Sequence, residues 1–237
     1  MFVIKKRSLV IVGVLLITII TFFVCVGALK NGKIGDTAIS TVKIVLDAGH
    51  GGIDGGVTGV KTGVRESELN LKVVKKVENY FKSAGIAVVL TRSSDAGLYG
   101  VATKNLKRKD MEERKRIIEK AEPAAVISVH MNKYGSSSRR GAQVFYYENN
   151  ENGKKLAECI QESFNGMEEA VRKCSALSGD YYIVRCTRYP SVICECGFLS
   201  NPQDEALLVT DEYQDKIAYE IFKGVISYLS AASFRFF

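Results

Sequence analysis

The sequence predicts an α/β domain of three layers, αβα, with a mostly parallel central sheet, preceded by one apolar N-terminal segment of membrane-spanning length. Three observations predict it. Short runs rich in Val, Ile and Ala recur, as in Ile44-Val45-Leu46 and Ala124-Ala125-Val126-Ile127, the composition of strands buried on both faces. Segments with an apolar residue every three or four positions lie between them, the pattern of amphipathic helices. Strands and helices alternating along one chain give parallel strands joined by helical crossovers.

Leu9 to Leu29 is uncharged and apolar, and about 20 residues of helix span roughly 30 Å, the thickness of a bilayer's hydrocarbon core. Lys5-Lys6-Arg7 before it predicts a cytoplasmic N-terminus and an exported C-terminal domain. An uncleaved anchor is the favoured reading. A signal peptide cleaved near Val26-Gly27-Ala28 is the alternative, disfavoured by an apolar core longer than signal sequences use. Cys25 follows the bulky Phe22-Phe23-Val24 and is read as a membrane-buried thiol, not a lipidation site. Residues 1–29 are thus the cytoplasmic tip and anchor or signal, 30–41 a polar linker, and 42–237 the folded domain.

In that domain the first strand runs from Lys43 to His50. A glycine-rich stretch from Gly49 to Gly63 follows, too flexible to be an element. Ser67 to Ala84 carries Leu69, Val73, Val77 and Phe81 at helical spacing, and Gly85 stops it. The remaining expectations are strands at Ile86–Thr91, Ala124–His130, Gly141–Tyr147, Tyr181–Arg185 and Val192–Cys196. Helices are expected at Lys107–Glu122, ended by Pro123, at Asn152–Phe164 and at Glu212–Leu229. The alternating charges of Lys107–Glu122 read as a solvated face.

A net charge of +7, three units of it in the N-terminal basic cluster, and no basic tract interleaved with aromatics argue against nucleic acid as a partner. Five cysteines lie beyond Cys25. Their odd number and spacing do not make a disulfide framework or a zinc knuckle. Cys194 and Cys196 are read as small buried hydrophobes, while one bridge among Cys159, Cys174 and Cys186 stays open.

His50 and His130 are the chain's only two histidines, and each finishes an apolar run. Residues that end parallel strands gather on one edge of the sheet, where ligands bind, so the two imidazoles can meet. Glu195 sits in the apolar Val192-Ile193-Cys194-Glu195-Cys196, where a carboxylate needs a partner or a metal. Alternation sets it on the face opposite Cys194 and Cys196. A catalytic zinc takes three protein ligands and keeps one position open. Glu66, opening the first helix, is the best third ligand and Glu68 its rival, although acids at helix N-termini commonly serve the dipole.

Four blocks, Leu46-Asp47-Ala48-Gly49-His50-Gly51-Gly52, Glu66-Ser67-Glu68-Leu69-Asn70, Ser128-Val129-His130-Met131-Asn132 and Glu195-Cys196-Gly197-Phe198-Leu199-Ser200-Asn201, resemble in order those of the zinc-dependent N-acetylmuramoyl-L-alanine amidases of the type 3 family. The resemblance spans about Val42 to Leu229. It implies Zn2+ as cofactor, His50, Glu66 and His130 as its ligands and Glu195 as the catalytic glutamate, with Arg185 and Asn132 as secondary candidates for substrate contact. Two departures stand out: Ala48 replaces a proline common in the first block, and Cys194 and Cys196 replace aliphatic residues beside the glutamate.

The implied reaction hydrolyses the amide between N-acetylmuramic acid and L-alanine in peptidoglycan, Glu195 moving a proton from water to the leaving amine. Among such enzymes the chain resembles compact, membrane-targeted amidases of spore formers that strip stem peptides and prepare muramic δ-lactam in the spore cortex. That role implies a catalytic domain outside the membrane, in the forespore intermembrane space; a general cell-separation amidase has similar architecture. Implied partners are peptidoglycan strands with stem peptides and the membrane through Leu9–Leu29, and an activating protein partner is left open. The rival readings are a zinc peptidase, disfavoured by the absence of H-E-x-x-H, and a catalytically dead wall-binding or regulatory domain.

Overall fold

Strand β1 (Lys43–Ala48) lies inside a six-stranded sheet with β2 (Ala87–Leu90), β3 (Ala125–Asn132), β4 (Gln143–Tyr146), β5 (Leu177–Ser178) and β6 (Ser191–Phe198), ordered β2-β1-β3-β6-β4-β5. This computed structural model describes residues 42–233; the anchor and linker of the sequence reading lie outside the described residues. Among the described residues no helix is long and apolar enough to cross a membrane. Strands β2, β1, β3 and β6 pair in parallel, and β4 runs antiparallel to β6.

Alternation divides the strands between two cores. Ile44, Leu46 and Ala48 of β1, Ile127, Val129 and Met131 of β3, and Val192, Cys194 and Cys196 of β6 enter the larger one. There they meet α1 (Glu66–Ser83), α3 (Glu151–Asn165) and α6 (Asp211–Ser233). Val45, Val126 and Ile193, the intervening residues, meet α2 (Leu106–Ala121) and the short α4 (Tyr182–Arg185) on the opposite face.

Helix α1 follows the expected stripe. Leu69, Val73, Val77 and Phe81 are buried, and Gly85 after its last turn takes φ +73, a left-handed conformation that costs glycine nothing and ends the helix. Helix α6 buries Ile217, Ile221 and Val225.

Three expectations are corrected. Tyr181–Arg185 is not a strand but the turn-length helix α4 with adjacent Ile183 and Val184 both buried, which a half-buried strand does not allow. Helix α2 is not wholly solvated, because Arg114 points inward at 1% exposure. A helix absent from the sequence reading, α5 (Pro202–Leu208), is started by Asn201, whose side chain accepts from the amides of Gln203 and Asp204. The described cysteines are all free, so Cys159, Cys174 and Cys186 form no bridge.

Candidate metal centre

His50 lies two residues beyond β1, at φ 60, a left-handed conformation rare for a residue with a Cβ. It persists because the loop is tied down. Arg114 Nη1 donates to the Ala48 carbonyl (3.0 Å) and Nη2 to that of His50 (2.6 Å). Arg92 donates to the carbonyls of Ala48 (2.8 Å) and Gly49 (2.9 Å). Gly49 is required for a separate reason: a Cβ there would lie 2.1 Å from Cε1 of His130.

On β3, His130 stands in register with Glu195 of the parallel neighbour β6, so both side chains leave the same face. Just beyond, β3 advances two residues to Asn132 while β6 advances three to Phe198. This bulge ends regular pairing next to the two groups, a common position for bulges beside functional sites.

The first residue of α1 completes the cluster. Glu66 Oε1 lies 2.8 Å from His130 Nδ1 and 3.2 Å from His50 Nε2. The imidazoles meet edge-on with centroids 5.0 Å apart. The Glu66 carboxylate also accepts from the amides of Val57 (2.9 Å, on Oε2) and Met131 (3.2 Å, on Oε1). One donor atom from each of His50, Glu66 and His130 falls within 4.8 Å of the others, a set able to hold a metal ion. Glu68 takes no part; it turns outward and pairs with Arg65 at 2.9 Å.

The two glutamates are driven apart electrostatically. Burial alone would raise the Glu66 carboxyl, but hydrogen bonds and charge from His130 and His50 prevail and hold it well below the ordinary carboxylate value. For Glu195 burial prevails, the histidines opposing and the Glu66 charge reinforcing, and the carboxyl is pushed up to about 7. Its Oε2 is buried without a hydrogen-bond partner. Carboxyls separated in this way are suited to different tasks, one staying ionised while the other exchanges a proton.

Several participants escaped the sequence reading. Asp54 Oδ1 sits 2.9 Å from His50 Nδ1, leaving Nε2 directed at Glu66. Asn70 donates to the Gly49 carbonyl (3.1 Å) and to Glu66 Oε1 (3.3 Å). Beneath them the buried Asp47 accepts from Thr91 (2.6 Å), Ser128 (2.5 Å) and Arg114. Burial opposes its ionisation, yet the Arg114 charge and those hydroxyls hold its carboxyl below the ordinary value. Arg114 had a signal: with Met111, Ile118 and Ala121 it occupies the inward stripe of α2. Of the secondary candidates, Arg185 is exposed, pairs with Asp180 at 2.8 Å and is absent from the adjoining cavity wall. Asn132 Oδ1 accepts from the Lys133 amide at 2.7 Å, and this residue also lies off that wall.

The family model described as N-acetylmuramoyl-L-alanine amidase matches residues 44–227. The chain belongs to this amidase family. Family membership makes it a hydrolase of the amide joining N-acetylmuramic acid to L-alanine in peptidoglycan. The germination-specific N-acetylmuramoyl-L-alanine amidase of Bacillus subtilis is 37% identical over 191 residues, covering 79% of each chain. The amidase LytC of the same organism is 31% identical, over 84% of this chain but only 37% of its own length. Among solved structures, the CwlD amidase of Clostridioides difficile, in complex with the GerS lipoprotein, superposes with a TM-score of 0.77 at 35% identity, covering 80% of this chain and 99% of that one. The catalytic domain of the amidase CwlV from Bacillus (Paenibacillus) polymyxa gives 0.69 at 30% identity, over 80% and 98% of the two chains.

Proposed function

We propose that this amidase works through a zinc ion held by His50, Glu66 and His130, with Glu195 as its base. The observation that carries the proposal is the convergence of two imidazole nitrogens and one carboxylate oxygen within 4.8 Å. Two nitrogens and an oxygen suit zinc, and three protein ligands leave a position open for chemistry. Zinc there supplies Lewis acidity, polarising oxygen donors and lowering the pKa of water.

The chain's own residues supply the rest. Asp54 fixes the His50 ring by holding Nδ1, so that Nε2 faces the site. Glu66, ionised and held by two backbone amides, stays in place without needing a proton. Glu195 takes a proton from the attacking water at its unpartnered Oε2 and returns it to the amine of L-alanine as the bond breaks. Burial raises the Glu195 carboxyl from the ordinary value, the direction needed by a group that both accepts and releases a proton near neutral pH.

Likeness to the germination-specific enzyme of Bacillus subtilis supports a role in the spore cortex, removing stem peptides ahead of muramic δ-lactam formation. We place residues 42–237 as the catalytic domain, outside the membrane, behind the linker 30–41 and the anchor Leu9–Leu29. Because the Clostridioides difficile relative was solved with a lipoprotein, a protein partner is part of the proposal. Substrate contact by Arg185 and Asn132 rests on the sequence resemblance alone.

Peptidoglycan digestion tests the zinc reading. The protein releases intact stem peptides beginning with L-alanine, stops after chelation and resumes with added zinc. Activity unaffected by thorough chelation contradicts it. Disrupting the gene in its host gives cortex without muramic δ-lactam; cortex with normal lactam removes the spore assignment.

A further inference from the structure

A cavity of about 510 Å³ opens beside the metal centre, sharing His50, His130 and Asp54 with it. That volume suits a small ligand. The nearly buried Ile183 and Ile193 line its depth, with Leu106, Met111 and the ring of Tyr181 around them.

The charges on the wall are committed, with one exception. Asp47 is taken by Arg114, Thr91 and Ser128. Asp110 accepts from Arg114 Nε (2.6 Å) and the Leu98 amide (2.7 Å). Asp54 is bound by His50 (2.9 Å) and the Gly56 amide (3.2 Å). Arg114 is buried and bound to Asp110, to Asp47 and to the carbonyls of Ala48 and His50. Lys107 remains: exposed on the cavity wall, it makes no hydrogen bond and no salt bridge within 4 Å among the described residues, and its charge reaches only as far as helping to hold the Asp54 carboxyl below the ordinary value.

Its neighbours on α2 show that this is not simply a helix rich in bases. Arg108 and Lys109 approach Glu112 at 3.7 and 3.8 Å, Lys115 lies 3.6 Å from Glu119, and Arg116 lies 2.5 Å from Glu113. Lys107 alone among the bases from 107 to 116 has no acid in salt-bridge contact, and the first turn of α2 contains none.

Substrate chemistry decides what this cation meets. In the intact bond the muramic carboxyl is consumed in the scissile amide, so the glycan side is neutral, whereas the peptide side keeps free carboxylates. We propose that the cavity receives the stem peptide and that Lys107 is a specificity residue reading one of its carboxylates. The inference rests on the amidase reading given above. The apolar wall takes the alanine and the aliphatic parts of the chain, and the ammonium pairs with the acid beyond them.

The test uses muramoyl-L-alanyl-glutamate with a free α-carboxylate and the same compound amidated there, on the purified full-length protein. The wild type shows a KM about tenfold lower for the acid with kcat within about twofold, the size expected of one charge-assisted hydrogen bond. Lys107→Met abolishes this preference, and Lys107→Arg retains most of it. Equilibrium binding of the free peptides L-alanyl-glutamate and its α-amide, followed by calorimetry, gives the same comparison without turnover, so a failed amidase reading cannot mask the result. Equal treatment of acid and amide by the wild type overturns the proposal, as does an unchanged preference in Lys107→Met. Displacement of the peptide by a neutral disaccharide overturns it too, assigning the cavity to the glycan.

Discussion

On the face of the sheet covered by α1, α3 and α6, strands β1, β3 and β6 present Ile44, Leu46, Val129, Cys194 and Cys196, all buried. On the other face the intervening positions of the same strands begin with the apolar Val45, Val126 and Ile193 and, toward the site, become Asp47, Ser128, His130 and Glu195. One side is hydrocarbon packed against three helices. The other is thinly covered by α2 and α4 and carries charge that burial makes costly unless each group finds a partner. Period-two alternation lets single strands serve both purposes, and it makes the faces separable by substitution.

The largest effect is expected at Glu195. Glu195→Gln lowers kcat by about 10²–10⁴, the usual contribution of a positioned proton carrier, while the unfolding midpoint of the zinc-loaded protein stays near wild type; near-normal turnover contradicts the assignment. Next is Arg114→Met, which strands the buried Asp47 carboxylate. A loss of about 3–5 kcal/mol in denaturant unfolding is expected, together with weaker zinc binding because the His50 carbonyl loses its donor. Leu156→Ala, beneath the opposite face, costs about 2–5 kcal/mol with kcat retained under folding conditions. If it impaired chemistry as much as Arg114→Met, the faces would not be separable.

Smaller effects sharpen the picture. Asp54→Asn weakens zinc affinity about 10–100-fold, the scale of an outer partner to a ligating histidine, and a metal competition assay reads it. Unchanged affinity would mean that the 2.9 Å contact with His50 does not orient the ring. In metal-free protein the raised Glu195 value has a defined sign. Its neutral form is favoured, so its contribution is complete below the ordinary value of 4.5 and lost as pH rises through about 7. Glu195→Gln is therefore the more stable protein at pH 8, by on the order of 1–3 kcal/mol, and equal to wild type at pH 4.

The apolar strands and α1 were legible because burial on both faces leaves unbroken Val and Ile runs, and because Leu69 to Phe81 keep helical spacing. Glu195 was legible as an acid between buried neighbours. Tyr181–Arg185 misled because Tyr, Ile and Val favour strands only where a pleated surface awaits them; here Ile183 and Val184 close the cavity side of the sheet as one helical turn. Helix α5 carried its signal in Asn201-Pro202 followed by Asp204-Glu205, too short for periodicity to register. Asp54 and Arg114 were hidden for another reason. Each acts through a partner distant in sequence or across the loop, and a charged residue inside a charged helix reads as solvated until its partner Asp47 is located.

Zinc content, measured by mass spectrometry of metals on purified protein after zinc loading and dialysis, tests the central claim most directly. One zinc per chain in the wild type and in Glu195→Gln, and none in His50→Ala or Glu66→Ala, is the predicted result. A wild type without zinc, or a Glu66→Ala protein that keeps it, would contradict the account of the polar face.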